Sequence, residues 1–230
     1  MADIFVFVGR ANRQKSNGLF PRLALRLGAA GHDTVSFEPA RIVESERINA
    51  RLAQGRPRLA AATGPGHPLA LRIARALAKA ALLLAGPQRM GFIDAALTSP
   101  MRANARELRR FVARLPAGRV HLIGHSAGCI IATMAADSPR VCSVTASGYP
   151  FRHPLHPPEP WRTRHLPGVK RPLLLIQGRR DIYGGDPEAY GPLLPGQAQI
   201  ITPDDDHELF GMNDDEFETV WTAFAQMVWP

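Results

Sequence analysis

Apolar residues along the chain gather into six short runs, and most of these runs are continuous instead of alternating. They are "IFVFV" (Ile4–Val8), "TVSF" (Thr34–Phe37), "VHLI" (Val120–Ile123), "VCSVTA" (Val141–Ala146), "LLLIQ" (Leu173–Gln177) and "AQIIT" (Ala198–Thr202). A strand with one wet face alternates apolar and polar residues, whereas a strand covered on both faces does not. The runs therefore predict parallel strands buried on both sides. Between them the apolar period changes to that of a helix. Leu19, Leu23 and Leu27 share one face, and Gly31 can close that helix. Ser99 is placed to cap a helix that has Pro100 at its first position and buries Leu108, Phe111, Val112 and Leu115. A small-residue helix runs from Ala127 to Ala136. The last helix carries Phe217, Val220, Trp221, Phe224 and Val228. Alternating strand and helix predicts an α/β fold: a mostly parallel central sheet with helices on both faces, a three-layer sandwich.

Residues 40–98 break the alternation. No strand is predicted there. The region holds the loop "QGRPRLAAATGPGHP" and a helix from about Leu69 to Ala85, stopped by Gly86-Pro87. Ile73, Leu77 and Leu84 share one face of that helix, and Arg72, Arg75 and Lys79 another. The expected organisation is one domain over residues 1–230, within which 40–98 is a covering insertion or a lid.

Composition changes this picture little. The chain has 230 residues, of which 45% are hydrophobic and 21% charged, enough for one full core. Its net charge of +8 invites a nucleic-acid reading, but the cations are scattered, nearly all arginine, and accompanied by no binding motif. The densest group, Arg102, Arg106, Arg109, Arg110 and Arg114, lies opposite an apolar helix stripe and reads as a solvated face. Cys129 and Cys142 both sit in apolar runs and are expected to be buried free thiols, which fits a reducing compartment. The opening "MADIFVFVGR" has no basic region typical of a secretory signal, and "AKAALLLAG" is too short to span a bilayer. A cytoplasmic location is expected, with no nucleic-acid or membrane partner. Oligomeric state is not indicated.

The candidate chemistry starts at Gly124-His125-Ser126-Ala127-Gly128, which has the form G-x-S-x-G. The pentapeptide alone is weak evidence. Its setting strengthens it, because it follows the strand "VHLI" directly and opens the helix "AGCIIATMAA". That is the setting of a nucleophile elbow, in which a sharp turn lifts the serine hydroxyl above the sheet edge. A serine needs a base, and the base an orienting acid. In the chain order of such folds the acid precedes the histidine. Asp181 follows the strand "LLLIQ", and His207 follows "AQIIT", so all three residues are expected at one sheet edge. Asp186 lies farther past its strand end than Asp181. Asp204, Asp205 and Asp206 beside His207 lack zinc-ligand spacing, so a solvated acidic loop is expected and no metal. No phosphate-loop pattern is present, and no cofactor is implied.

The sequence resembles the α/β-hydrolases, and within them the dienelactone-hydrolase-like proteins. The segments "IGHSAGCIIA", "SGYPF…LHPPEPWRTRHL", "PLLLIQGRRDIYGG" and "DDDHEL" are also similar to a branch containing a testis-expressed hydrolase-like protein and a hydrolase-like subunit of the NSL chromatin complex. The similarity covers about Arg119 to His207. It implies Ser126 as nucleophile, Asp181 as acid and His207 as base. Dienelactone hydrolases proper use a cysteine nucleophile, so this serine departs from them. Relatives often carry His-Gly after the first strand; here Val8 precedes Gly9, and Arg10 follows. The expected oxyanion donors are the backbone N–H of Ala127 and that of Arg10. The loop after "VCSVTA" should overhang the same edge, which makes Tyr149, Phe151 and Trp161 candidate substrate contacts, with His153, His156 and His165 nearby. The expectation is a serine hydrolase acting on a small-molecule ester, thioester or lactone through an acyl-enzyme. The alternative is a hydrolase-fold interaction protein with little or no catalytic activity.

Overall fold

The strands β1 (Asp3–Val8), β2 (Asp33–Phe37), β3 (Arg119–His125), β4 (Val141–Ser147), β5 (Leu173–Ile176) and β6 (Ala198–Ile201) coincide with the six apolar runs. In this computed structural model, which describes residues 3–9, 17–63, 66–116 and 118–230, they pair in the order β2-β1-β3-β4-β5-β6. Every pairing is parallel. The continuous apolar runs are thus explained: β1 is buried along its whole length, as is β5.

The helices are α1 (Leu19–Ala29), α2 (Ala40–Gly55), α3 (Pro57–Ala61), α4 (Leu69–Ala85), α5 (Arg89–Leu97), α6 (Pro100–Arg114), α7 (Ala127–Ala135), α8 (Pro187–Tyr190) and α9 (Asp214–Val228). On one face of the sheet, Phe5, Phe7, Ile123, Leu174 and Ile176 form a core with Leu19, Leu23 and Leu27 of α1 and with Phe217, Val220, Phe224 and Val228 of α9. The period expected for these two helices is the one that packs. At the end of α1, Gly31 takes φ +78, and the N–H of His32 bonds the Leu27 carbonyl at 3.0 Å. Ser99 caps α6 by accepting from the N–H of Arg102 at 3.2 Å. An Asn213–Glu216 capping box starts α9. On α7, Cys129, Ile130, Ile131 and Ala132 are all buried, and the helix packs against β1, β3 and β4.

The chain divides into two compact units, residues 1–37 with 105–230, and residues 38–104. The first contains the sheet. In the second, α4 matches the expected helix, but α2, α3 and α5 are additional, and α3 lies within the expected loop. Ile48, Leu52 and Leu59 form the second unit's small core. The α4 residues that pack on it are Leu71, Ala78 and Leu83, not the Ile73, Leu77 and Leu84 stripe. Cys129 is buried as expected, whereas Cys142 is only half-buried, and both thiols are free.

Candidate active site

Because β3, β5 and β6 run in the same direction, the turns that leave their carboxyl ends meet at one edge of the sheet. Ser126 is the first residue past β3. It takes φ 54 and ψ −124, a region that side chains rarely occupy. Two glycines make this turn possible. A Cβ at Gly124 would lie 2.8 Å from Cys129 Cα, and one at Gly128 would lie 1.9 Å from the Val8 carbonyl oxygen. Only bare backbone allows the strand, the turn and α7 to close on one another and on the end of β1. The Ser126 N–H is held by the Ser147 carbonyl at 3.1 Å.

The expected partners converge on this serine. Ser126 Oγ lies 2.9 Å from His207 Nε2, and His207 Nδ1 lies 2.7 Å from Asp181 Oδ2. A carboxylate only accepts, so His207 carries its proton on Nδ1, and the Ser126 hydroxyl donates to Nε2. Asp181 is buried and His207 is 8% exposed. The carboxylate has two further donors. Gln177 Nε2 bonds Oδ2 at 2.6 Å, and the Tyr183 N–H bonds Oδ1 at 2.7 Å. Gln177 is itself oriented by the Tyr149 N–H, which donates to its Oε1 at 2.8 Å. The sequence reading missed Gln177. Its only signal was a polar residue closing an otherwise apolar strand.

Asp186, the more distant acid, caps α8 by accepting from the Glu188 N–H at 3.0 Å. The acidic run before His207 is occupied locally. Asp204 pairs with Arg180 at 2.5 Å, Asp205 Oδ1 accepts from the Asp206 N–H at 2.7 Å, and Asp206 Oδ1 accepts from the Glu208 N–H at 2.8 Å. Among the described residues no group of three or more histidines, cysteines and acids is arranged to hold a metal.

Ser126, Ala127 and His207 open into a cavity of about 490 Å³, walled by Pro150, Arg162, Arg180, Ile182 and Tyr183. Ala127, expected as an oxyanion donor, thus stands at the cavity beside the serine. Arg10, expected as the other, lies outside the described residues. The expected substrate contacts are placed differently. Tyr149 is 1% exposed, with its hydroxyl donating to the Arg162 carbonyl, and it does not line the cavity. Its ring lies 4.6 Å from that of Phe151. Phe151 stacks on Tyr190 at 4.4 Å and, with His153 and His156, borders a second cavity of about 550 Å³. Trp161 lies under the Arg162 guanidinium, 4.6 Å from its ring centre, and lines neither cavity. His165 bonds Thr133 Oγ1 at 2.9 Å, and burial, aided by Arg164, lowers its pKa to about 4. Tyr183, unremarked in the sequence, packs its ring 4.6 Å from that of His207.

A family model described as "Alpha/beta hydrolase domain" matches residues 95–227, more than half of the chain. The chain belongs to the alpha/beta hydrolase family. Solved structures with the same fold are distant in sequence. An alpha/beta hydrolase enzyme from the metagenome of lagoon sediments at Mar Chica, Morocco, is 14% identical with a TM-score of 0.58; the match covers 98% of this chain and 91% of that one. A monoacylglycerol lipase from Paleococcus ferrophilus is 14% identical with a TM-score of 0.57, over 98% and 93% of the two chains. The mouse alpha/beta hydrolase domain-containing protein 10 is 10% identical with a TM-score of 0.55, over 98% and 89%. No curated protein matches the sequence. No helix among the described residues of this alpha/beta hydrolase is long and apolar enough to cross a membrane.

Proposed function

We propose that this protein is a serine hydrolase that cleaves a carboxylic ester, thioester or lactone through an acyl-enzyme. The observation that carries the reading is the unbroken line from Ser126 Oγ through His207 to Asp181, at 2.9 and 2.7 Å, opening into a cavity. His207 Nε2 takes the hydroxyl proton as Ser126 Oγ attacks the acyl carbon. Asp181 holds the imidazole in the required tautomer and stabilises the imidazolium. Its own position is fixed by Gln177 and Tyr183. The oxyanion that forms is received by the N–H of Ala127, at the amino end of α7 where the helix dipole favours negative charge, and by the N–H of Arg10. His207 then returns the proton to the leaving oxygen or sulfur, and water repeats the sequence on the acyl-enzyme.

The dienelactone-hydrolase-like affinity belongs to the same proposal and rests on the motifs between Arg119 and His207. The monoacylglycerol lipase among the structures of similar fold is in keeping with an acyl substrate. The two free thiols support a cytoplasmic setting. A fluorophosphonate probe tests the central claim. The wild-type protein should label, and folded Ser126→Ala should not; equal labelling of the two would refute the reading.

A further inference from the structure

The cavity at Ser126 and the second cavity, of about 550 Å³, share no lining residue, yet contacts across a single wall join them. Pro150 lines the first, and Phe151, the next residue in the chain, lines the second. Arg162 of the first holds Glu159 of the second, its Nε donating to Oε2 at 2.7 Å and its Nη2 lying 2.6 Å from the same oxygen. The carbonyl of Tyr183, in the first, accepts from the N–H of Arg152, in the second, at 3.0 Å. The Tyr183 ring centre also lies 5.8 Å from that of His153, on the far side of the wall.

The walls of the second cavity are mostly rings. Phe151 and Tyr190 stack with 4.4 Å between centres and 14° between planes, and His153 meets His156 edge to face at 4.2 Å. Three prolines and Leu193 add apolar surface. Stiff rings give up little freedom when a ligand arrives. Aromatic walls also favour an aromatic guest beyond the area it buries. The acid on this lining, Glu159, is engaged by Arg162, so it does not call for a cationic ligand. The volume is within the range of small-molecule sites and is ample for a phenyl ring and its linker.

The position of His207 decides which half of a substrate this cavity meets. In the serine-hydrolase reading, Nε2 delivers its proton to the leaving oxygen or sulfur, so the leaving group lies on the imidazole side of Ser126. Tyr183 packs on that imidazole at 4.6 Å, and His153 packs on Tyr183. The order Ser126, His207, Tyr183, His153 thus leads from the nucleophile, past the base, to the second cavity. We infer that the second cavity is the leaving-group subsite, and that the substrate is an ester or thioester whose alcohol or thiol half carries an aromatic group. The inference rests on the serine-hydrolase reading above. Phe151 is then a substrate contact, as its sequence position suggests, but through the second cavity and not beside the serine. Tyr190 and Leu193 are specificity-determining residues that stand apart from the reacting atoms.

The test uses two isomeric esters, benzyl acetate and methyl phenylacetate, which carry the ring on opposite sides of the same bond, with methyl acetate as the small reference. Burial is worth about fourfold per methylene, so even partial burial of the ring should give wild type a kcat/KM for benzyl acetate at least about tenfold above that for its isomer. Tyr190→Ala removes the stacking wall, and Leu193→Trp, at a partly exposed position, fills the cavity. Each should lower kcat/KM for benzyl acetate by about tenfold and leave methyl acetate within about twofold. Labelling by a small fluorophosphonate, which expels only fluoride, should keep the wild-type rate in both. Tm identifies a variant that fails to fold, and Leu193→Trp then carries the test alone. The subsite is overturned if wild type does not prefer benzyl acetate to methyl phenylacetate. It is also overturned if the folded variants keep that preference, lose methyl acetate turnover equally, or lose methyl phenylacetate turnover instead. A wild type that labels no faster than Ser126→Ala overturns the hydrolase reading, and the subsite's role with it.

Discussion

Gly128 approaches Val8 so closely that a Cβ built on it would stand 1.9 Å from the Val8 carbonyl oxygen. Both groups are backbone, so neither can swing aside. Gly128→Ala must push α7 away from the end of β1. Overpacking of this kind costs about 1–3 kcal/mol or more. The variant should show a lower Tm and, because the push begins two residues from Ser126, a loss of probe labelling larger than the stability change explains. Differential scanning fluorimetry and labelling on the same sample check this.

Ser126, His207 and Asp181 act in the proposed mechanism as one unit. Ser126→Ala and His207→Gln should each lower kcat by about 10⁴- to 10⁶-fold, and the double variant should be scarcely worse than either single one. Asp181→Asn should cost about 10⁴-fold by favouring the wrong imidazole tautomer. Steady-state kinetics with a common ester substrate decide it. Additive losses would argue against a shared unit.

Gln177 ties Asp181 to the loop after β4 through bonds of 2.6 and 2.8 Å. Gln177→Leu keeps most of the volume but leaves the Tyr149 N–H without its acceptor and takes one donor from Asp181. Stability should fall by about 1–3 kcal/mol, the cost of stranding a buried polar group. A fall in kcat of about tenfold should accompany it, as expected when the group orienting a catalytic side chain is lost. Chemical denaturation and kinetics report the two effects separately.

His165 is held neutral, because burial lowers its pKa from 6.5 to about 4. Burial also lowers the pKa of His121. Between those two values for His165, the unfolded chain binds a proton that the folded chain refuses. The stabilisation is therefore complete above about pH 6.5 and is lost as pH falls towards 4. Tm should decline over that window, and His165→Gln should flatten the decline. Thermal melts at pH 7.5 and 4.5, for example, measure it.

Asp3 works with the opposite charge at lower pH. Hydrogen bonds from Arg119 at 2.7 and 2.9 Å, joined by one from Trp229, bring its pKa from 3.8 to about 2. Its contribution is present above pH 3.8 and fades as pH falls towards 2. Asp3→Asn should cost about 1–3 kcal/mol at neutral pH, and much less below pH 3, as urea titrations at the two pH values would show.

The sheet was legible because its inner strands β1, β3, β4 and β5 are buried almost throughout and so read as largely apolar runs, while the more exposed edge strands β2 and β6 still form short apolar runs. The candidate site was legible for a related reason. In a parallel sheet, a polar residue just past each run is carried to the same edge, so Ser126, Asp181 and His207 could be brought together without knowing the strand order. The helices of residues 38–104 were harder. The inward face of α2 is Glu44, Ile48 and Leu52, and the acid at its head interrupts the apolar period that marks a helix. On α4 the longest apolar stripe is not the one that packs in the small core. Tyr149 is an aromatic residue at the right sheet edge, yet its ring turns inward. Proximity in sequence gave its neighbourhood but not its direction. Gln177 was illegible because the partner that orients it, Tyr149, lies 28 residues away.

The distance in sequence between the members of the site has a consequence for folding. The Ser126 hydroxyl, on the turn after β3, meets a base 81 residues later in the chain, beyond β4, β5 and β6. Contacts of such range form late and slowly. No fragment ending before β6 can therefore possess the Ser126–His207 pair, however well its elbow is formed. Probe labelling during refolding would then act as a clock for the docking of the last strand, and would lag behind the recovery of helical signal.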